Sequence, residues 1–228
     1  MERSCVRDSP VSEVRAGCNV IAWTRVASPA TMKRLLSVLC LVSLAASGEN
    51  LSDQLPQNKY LLHERCRVVL QEQINLEMHA SLVYMQMSAY YGNNKVARKG
   101  FSKFFADNSI EEREHAMKII NYVNKRGSTV SSFNINMPTT TTWISVVDAL
   151  QSAMALEHKV TNKLHEAHKV ADKDCKDPQM MDFIEHEFLE EQVDSIDKLQ
   201  RMLTAVQYMD TGMGEFLMDR ELLEGKEF

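Results

Sequence analysis

The most distinctive chemical pattern in the sequence is an acidic stretch that ends in a histidine, Glu111-Glu112-Arg113-Glu114-His115. On a helix, Glu112 and His115 are three residues apart and therefore point to the same side. That side also carries the apolar residues of the segment, where a carboxylate and an imidazole are costly unless a partner compensates them. A bound metal cation is the usual compensation, so this motif predicts one part of a metal site.

Polar residues interrupt the apolar stripes of three other helical segments in the same way. The first stripe carries Glu77 and Tyr84, the third carries Glu157 and the fourth carries Gln192. Glu77, Glu112, Glu157 and Gln192 lie 16 to 19 residues from the short turns that connect these segments in pairs. At 1.5 Å per residue their depths differ by about one helical turn or less. A four-helix bundle would therefore bring all of these side chains into one buried layer.

The chemistry of this layer favours a pair of metal ions. Three buried carboxylates without a cation would repel one another and lose solvation, so they require protonation or metal binding. Oxygen-rich ligands with one histidine suit iron or manganese better than zinc, although zinc is not excluded. Glu112 lies at the centre of the set and is the candidate bridge between two ions. Taken alone, Tyr84 would more often be a core aromatic residue whose hydroxyl finds a hydrogen-bond partner.

Helical periodicity predicts the elements that position the layer. We predict helices over residues 61–91, 96–125, 142–171 with Thr142 as the N-cap, 178–206 and 213–223. The connection 128–142 reaches about 50 Å when extended, which exceeds the length of about 42 Å expected for a helix of about 28 residues. It can therefore cross the bundle and make helices two and three parallel. The expected fold is an all-α four-helix bundle with one long crossover and a short fifth C-terminal helix.

Composition and the N-terminal sequence limit the functional classes. The chain has 228 residues and a net charge of -5, which does not favour a nucleic-acid partner. Met32-Lys33-Arg34, an apolar run over 35–46 and Ser47-Gly48 together form a secretory signal that is too short to span a membrane. We expect a disordered or upstream extension at 1–31, a signal peptide at 32–48 and one domain at 49–228. A short apolar helix in an N-terminal arm is the alternative for 35–46.

At these motifs the chain resembles ferritin, over about residues 57–225. The matching residues lie on four helices and comprise Gln73-Ile74-Asn75-Leu76-Glu77, Tyr84, Glu111 to Ala116, Leu156-Glu157, Asp182 to Glu185 and Glu191-Gln192-Val193. The resemblance implies an octahedral cage of identical or similar subunits. Such a cage oxidises ferrous iron with dioxygen and stores ferric mineral inside. It also implies no membrane partner.

The resemblance to heavy-type ferritin subunits implies a ferroxidase centre with two iron ions per subunit. Glu77, Glu112 and His115 would hold one ion, and Glu112 and Glu157 would hold the other. Gln192 and Tyr84 would lie close by, with Gln192 as a further candidate ligand. Every ligand position of the centre has a matching residue in this sequence, so the chain resembles a catalytic subunit. Because the fourth helix offers Gln192 and no second Glu-x-x-His motif, the second position suits iron that is oxidised and then released.

Two further groups of residues match functional positions of ferritins. Asp182 and Glu185, with His168 nearby, match the acids that line the three-fold iron entry channels. A favourable charge at a helix N-terminus is the alternative for these two acids.

Glu111 and Glu114 match inner-surface acids that nucleate mineral. Met117 stands where the third acid of this group is expected. A solvated charged face is the alternative for these residues.

Several alternatives remain open at the level of the sequence. A non-catalytic iron-carrying cage subunit and a di-iron oxygenase are the competing functions. The leader and the additional residue beside Cys175 resemble secreted invertebrate ferritins, so we expect secretion, with a cytoplasmic location as the alternative. The cage could contain one or several kinds of subunit. Cys66 and Cys175 could form disulfides in an oxidising compartment, but the sequence does not identify their partners.

Overall fold

The computed structural model describes residues 58–209 and 211–226, and these form α-helices joined by turns and one long connection, without any strand in this part of the chain. The α-helices are α1 Glu64–Gly92, α2 Lys99–Lys125, α3 Val146–Val170, α4 Pro178–Ile184, α5 Glu190–Tyr208 and α6 Thr211–Leu223. None of these helices has both the length and the apolar character needed to cross a membrane. The all-α prediction is confirmed. The predicted extension at 1–31 and signal peptide at 32–48 lie outside the described residues.

Helices α1 and α2 form a closely packed antiparallel pair. The Ser81 hydroxyl donates to the backbone oxygen of Ser109 at 2.5 Å, and the Ser109 hydroxyl donates to the backbone oxygen of Ser81 at 2.7 Å. Ser88 and Ser102 make the same reciprocal pair at 2.8 and 2.9 Å. These small side chains let the two backbones approach, and they fix the register that places Glu77 opposite Glu112.

The connection from Arg126 to Ser145 crosses the bundle from one end to the other. It starts beside the N-terminus of α1, where the Leu62 amide donates to the Arg126 oxygen at 3.1 Å. It ends beside the C-terminus of α1, where the Tyr91 hydroxyl donates to the Ser145 oxygen at 3.3 Å. Helix α3 therefore starts at the end of the bundle where α2 starts, and the two helices run parallel as predicted.

Side chains of α1 hold this connection along the surface of the bundle. Four of them, spaced four residues apart and so on one face of the helix, make the hydrogen bonds: Arg67 to Ser131, Gln71 to Ser131, Asn75 to Asn134 and His79 to Asn136. An irregular segment of this length needs such partners, because its backbone groups are not paired in a regular element.

Helix ends differ from the predicted positions where caps decide them. Thr142 was the wrong N-cap for α3, because the Ser145 side chain accepts from the Asp148 amide at 3.2 Å. Helix α1 starts at Glu64, where the His63 ring accepts from the Arg65 amide. Helix α2 starts at Lys99 and not near residue 96, since Ala97 has a φ of 55° and cannot continue a right-handed helix.

The fourth long helix is continuous over residues 178–208 but is not α-helical throughout. A π-helical segment, Glu185–Leu189, separates α4 from α5, and a second one, Ala171–Cys175, extends α3 into the predicted charged turn. A break before the last helix is present, but it lies at the extended Met209 and not at the predicted Thr211-Gly212, so α6 begins at Thr211 and not near residue 213. Each π-helical turn accommodates one more residue than an α-helical turn, which changes the faces on which later residues lie.

Two cross-links fasten the end of the bundle where α1 starts and α4 starts. A disulfide joins Cys66 to Cys175 with a Cα–Cα distance of 6.4 Å. The buried Arg126 guanidinium makes a two-pronged ion pair with Asp177, with N–O distances of 2.6 and 3.3 Å. Asp177 also caps α4 by accepting from the Met180 amide at 3.1 Å. These contacts fix the start of the fourth helix relative to the first and second.

Candidate metal centre

Glu77, Glu112 and His115 meet in the middle of the bundle. Each offers one ligand atom, and these atoms all lie within 4.8 Å of one another. The side chains are deeply buried, with exposures of 0% for Glu77, 3% for Glu112 and 6% for His115. Helix α1 supplies the first residue and α2 supplies the other two, so the register of the antiparallel pair sets this geometry.

Two carboxylate oxygens of this group have no hydrogen-bond partner within the described part of the chain. They are Oε2 of Glu77 and Oε2 of Glu112. The Glu112 atom lies 3.5 Å from Nδ1 of His115. Buried polar atoms are nearly always satisfied, so two unpaired acceptors beside an imidazole nitrogen need a further partner. The set of two carboxylates and one histidine fits a divalent transition-metal cation such as iron.

The electrostatics of the buried carboxylates also favour a bound cation. Burial and the neighbouring charge of Glu112 raise the pKa of Glu77 well above its ordinary value. Burial and the charge of Glu157 do the same to the pKa of Glu112. Desolvation penalises each charged carboxylate and each neighbour repels the next. A bound cation would remove both penalties at once.

Glu157 on α3 extends the layer beyond this group of three. Its Oε1 accepts from the Tyr84 hydroxyl, and its Oε2 accepts from Nε2 of Gln192 at 3.1 Å. Glu157 is 2% exposed and Gln192 is 3% exposed. Glu157 is also close enough to Glu112 to raise its pKa. Glu112 therefore lies between Glu77 on one side and Glu157 on the other.

Aromatic residues seal the layer toward the end of the bundle where α2 begins. The Tyr84 ring stacks on Phe105 with centroids 6.1 Å apart, and Phe105 contacts Tyr91 at 5.5 Å and Phe101 at 6.4 Å. All four side chains are 2% exposed or less. This apolar plug keeps bulk water from the polar layer on that side, which strengthens the electrostatic interactions within it.

Glu191 is a contact of the site to which the sequence assigned no role. Its Oε1 and Oε2 lie 3.0 and 3.1 Å from Nε2 of His115. Burial lowers the pKa of His115, but the hydrogen bond and charge of Glu191 outweigh this effect and raise it overall. Glu191 precedes Gln192 directly on the regular helix α5 and reaches His115 from the edge of the layer, with its side chain 32% exposed while Gln192 is buried. A helical count that selects only the residue on the buried stripe therefore misses it.

Two more polar residues support the layer without having been assigned a role. The Gln73 amide donates from Nε2 to Oε1 of Glu77 at 2.6 Å. The Thr161 hydroxyl lies 2.5 Å from Oε1 of Gln192. Gln73 is four residues before Glu77 and Thr161 is four residues after Glu157, so the spacing of helical neighbours could have identified both.

The residues predicted to line a channel lie on the surface of the subunit. His168 Nε2 is 2.5 Å from Oε1 of Glu185, which pairs α3 with the start of the π-helical segment. Asp182 is separate from this pair, and its carboxylate lies 3.2 Å from Nδ1 of His186. Both acids are exposed. The predicted nucleation residues Glu111 and Glu114 are exposed on α2, beside the buried layer.

Comparisons with known proteins agree with this architecture. A family model described as a ferritin-like domain matches residues 68–209. The "Ferritin" of Pacifastacus leniusculus is 42% identical over 167 residues, which cover 73% of this chain and 91% of the relative. The "Ferritin-1 heavy chain" of Schistosoma mansoni is 40% identical, covering 72% and 94%. The "Ferritin, middle subunit" of Salmo salar is 38% identical, covering 77% and 99%. The chain therefore belongs to the ferritin family, a membership that supports a role in iron storage.

Proposed function

We propose that this chain is an iron-storage subunit that oxidises ferrous iron with dioxygen inside its own helical bundle. Glu77, Glu112 and His115 hold one iron ion, and Glu112 and Glu157 hold a second. The observation that carries the proposal is the pair of buried oxygens on Glu77 and Glu112 that have no hydrogen-bond partner among the described residues, the Glu112 atom lying 3.5 Å from Nδ1 of His115. Without a cation, these buried carboxyls would have to keep protons and donate them to one another, which is why the pKa values of Glu77 and Glu112 are raised.

The proposed reaction balances with two iron ions and one dioxygen molecule. Each Fe(II) gives up one electron, and dioxygen accepts both electrons with two protons and leaves as hydrogen peroxide. The centre contributes negative charge, which favours Fe(III) over Fe(II), and it holds both ions close enough to react with one dioxygen. Tyr84 and Gln192 hold the Glu157 carboxylate in place through the hydrogen bonds described above.

The two iron positions differ in the strength of their ligands. The first has two carboxylates and a histidine, whereas the second depends on shared Glu112, on Glu157 and on the neutral amide of Gln192. Both positions have two carboxylates, but the second shares one of them and has an amide, a weaker ligand than imidazole, in place of the histidine. Weaker binding suits iron that moves on to a store. We propose that this store lies inside a multi-subunit cage, that Asp182, Glu185 and His168 attract iron to an entry channel, and that Glu111 and Glu114 contact iron as it leaves.

The disulfide between Cys66 and Cys175 supports synthesis in an oxidising compartment. Disulfides persist in secretory and extracellular environments and are rare in the reducing cytosol. Together with the signal-like residues 32–48, this pair favours a secreted protein or one retained in the secretory pathway. Sequencing the N-terminus of protein isolated from its own cells tests the cleavage. A mature chain that retains residues 35–46 would contradict it.

The enzymatic proposal is tested by removing ligands from the first position. Glu112→Ala and His115→Ala should reduce the initial rate of Fe(II) oxidation in air to that of iron in buffer alone. His165→Ala is a matched control, because this histidine is exposed on α3 and lies outside the layer. An initial rate that stays at the wild-type value in both ligand variants would favour a non-catalytic cage subunit instead.

A further inference from the structure

Thr161 contacts two oxygens of the layer with a single hydroxyl group. Its Oγ1 lies 2.8 Å from the backbone oxygen of Glu157 and 2.5 Å from Oε1 of Gln192. A hydroxyl has one proton to donate but can also accept, so it donates to only one of these oxygens at a time. In the observed arrangement, Gln192 uses its other end to donate from Nε2 to Oε2 of Glu157 at 3.1 Å.

A second arrangement of the Gln192 amide lets the same hydroxyl both accept and donate. If the amide turns by half a rotation, its NH2 group faces Thr161 and donates to Oγ1. The Thr161 proton then goes to the backbone oxygen of Glu157, which is already within hydrogen-bond distance. The two ends of a primary amide are nearly equal in size, so this rotation needs little space.

The two arrangements present opposite chemistry to Glu157. In the first, Gln192 offers a donor that stabilises the carboxylate directly. In the second, it offers an oxygen, which would repel the carboxylate unless a cation lies between them. The choice between the two is therefore coupled to the presence of a metal ion at the second position.

We propose that Thr161 is a positioning residue that allows Gln192 to exchange between these two roles. Gln192 donates to Glu157 when the second position holds no metal, and it presents its oxygen to the metal when one is bound. This inference rests on the proposed function, because it takes Glu157 as a metal ligand. The Thr161 hydroxyl makes one hydrogen bond in the first arrangement and two in the second, so it favours the arrangement in which Gln192 presents its oxygen and strengthens metal binding at the second position.

Two substitutions of Thr161 distinguish the effect of its hydroxyl group from the effect of its shape. Thr161→Val removes the hydroxyl and keeps the branched shape, whereas Thr161→Ser keeps the hydroxyl and is the matched control. The probe is Co(II), titrated into chelator-treated protein without iron and followed by its visible absorption. We expect two ions per subunit in the wild type and in Thr161→Ser. In Thr161→Val the second ion should bind about 10-fold to 100-fold more weakly, with the first unchanged.

Several results would overturn the inference. One is a Thr161→Val variant that binds Co(II) at both positions with wild-type affinity. Another is a Thr161→Ser variant that loses as much Co(II) affinity as Thr161→Val. Equal weakening of both positions, together with a lower melting temperature, would assign Thr161 a structural role only. A wild-type protein that binds a single Co(II) would remove the second position itself.

Measuring Fe(II) oxidation on the same wild-type protein keeps the two proposals distinguishable. If two Co(II) ions bind as expected but Fe(II) is not oxidised faster than in buffer, the proposed function fails and the role of Thr161 stands. If Fe(II) is oxidised rapidly but Thr161→Val binds Co(II) like the wild type, the role of Thr161 fails and the proposed function stands.

Discussion

His115 is held from both sides of its ring, and Glu191 holds the side that faces away from Glu112. Nε2 lies 3.0 Å from Oε1 of Glu191, while Nδ1 lies 3.5 Å from Oε2 of Glu112. A proton on Nε2, donated to Glu191, leaves the lone pair of Nδ1 available on the metal side. The carboxylate of Glu191 therefore sets both the orientation of the imidazole and the nitrogen that can bind a metal.

Replacement of Glu191 should weaken the first metal position through His115. Glu191→Leu removes the acceptor, and we expect Co(II) affinity at that position to fall by about 10-fold to 100-fold. Glu191→Gln keeps an oxygen that accepts from Nε2 of His115, so its Co(II) affinity should fall much less. Co(II) titration of chelator-treated protein measures both variants. Equal losses in the two would mean that the charge of Glu191, and not the hydrogen bond, is what matters.

Glu112→Gln should stabilise the metal-free protein at neutral pH while preventing iron oxidation. Burial and the charge of Glu157 raise the pKa of Glu112, so between about pH 4.3 and that raised pKa the folded chain keeps a proton that the unfolded chain has lost. The contribution of this carboxyl to the free energy of unfolding is complete below about pH 4.3. It is lost as the pH rises through the raised pKa of the folded state.

A neutral amide at position 112 removes that loss of stability. We expect the free energy of unfolding of the Glu112→Gln variant to exceed that of the wild type by about 1–3 kcal/mol at pH 7. The gain should shrink toward pH 4.5. Thermal melts of chelator-treated protein across this pH range measure it, with Glu114→Gln as the matched control on the exposed face of α2. A Glu112→Gln variant that melts below the wild type at pH 7 would show that the carboxylate is not under repulsion.

Loss of the disulfide should destabilise the subunit substantially. The bond between Cys66 and Cys175 closes a loop with a sequence separation of 109, and removing such a cross-link costs about 2–5 kcal/mol. Cys66→Ser and Cys175→Ser should lower the melting temperature by similar amounts. A reductant should lower the melting temperature of the wild type but not of either variant. A wild type that is insensitive to reductant would indicate that the two thiols are not joined.

The buried ion pair between Arg126 and Asp177 should contribute far more to the stability of the fold than surface ion pairs do. Arg126→Ala leaves Asp177 buried without its partner, and we expect a loss of about 3–5 kcal/mol. Lys103→Ala removes one half of the exposed pair with Asp107 and should leave the melting temperature almost unchanged. Denaturant unfolding of both variants measures the difference in the free energy of unfolding, and equal effects would contradict the importance of burial for this ion pair.

Helical counting predicted those parts of the candidate centre that follow regular geometry. Glu112 and His115 share a face because they are three residues apart, and Glu77 lies opposite because α1 and α2 are antiparallel. The long crossover was predictable for the same reason, since the reach of an extended chain and the rise of a helix are fixed quantities.

Features that depend on irregular backbone could not be predicted in this way. The π-helical segment Glu185–Leu189 interrupts the α-helical period of the fourth long helix. Glu191 reaches His115 from beside the buried stripe and not from within it. The pairing of Cys66 with Cys175 depends on how the π-helical segment after α3 lies against α1. Periodicity contains no information about this disulfide or about the contact of Glu191 with His115, because each joins distant parts of the chain.

The central claim is that two metal ions share Glu112 inside one subunit. Crystals soaked with Fe(II) under anaerobic conditions, with data collected at the iron absorption edge, test it most directly. We predict two anomalous peaks within the bundle, one among Glu77, Glu112 and His115 and one between Glu112 and Glu157. Peaks confined to surface acids such as Asp182 and Glu185, with none in the buried layer, would contradict the account.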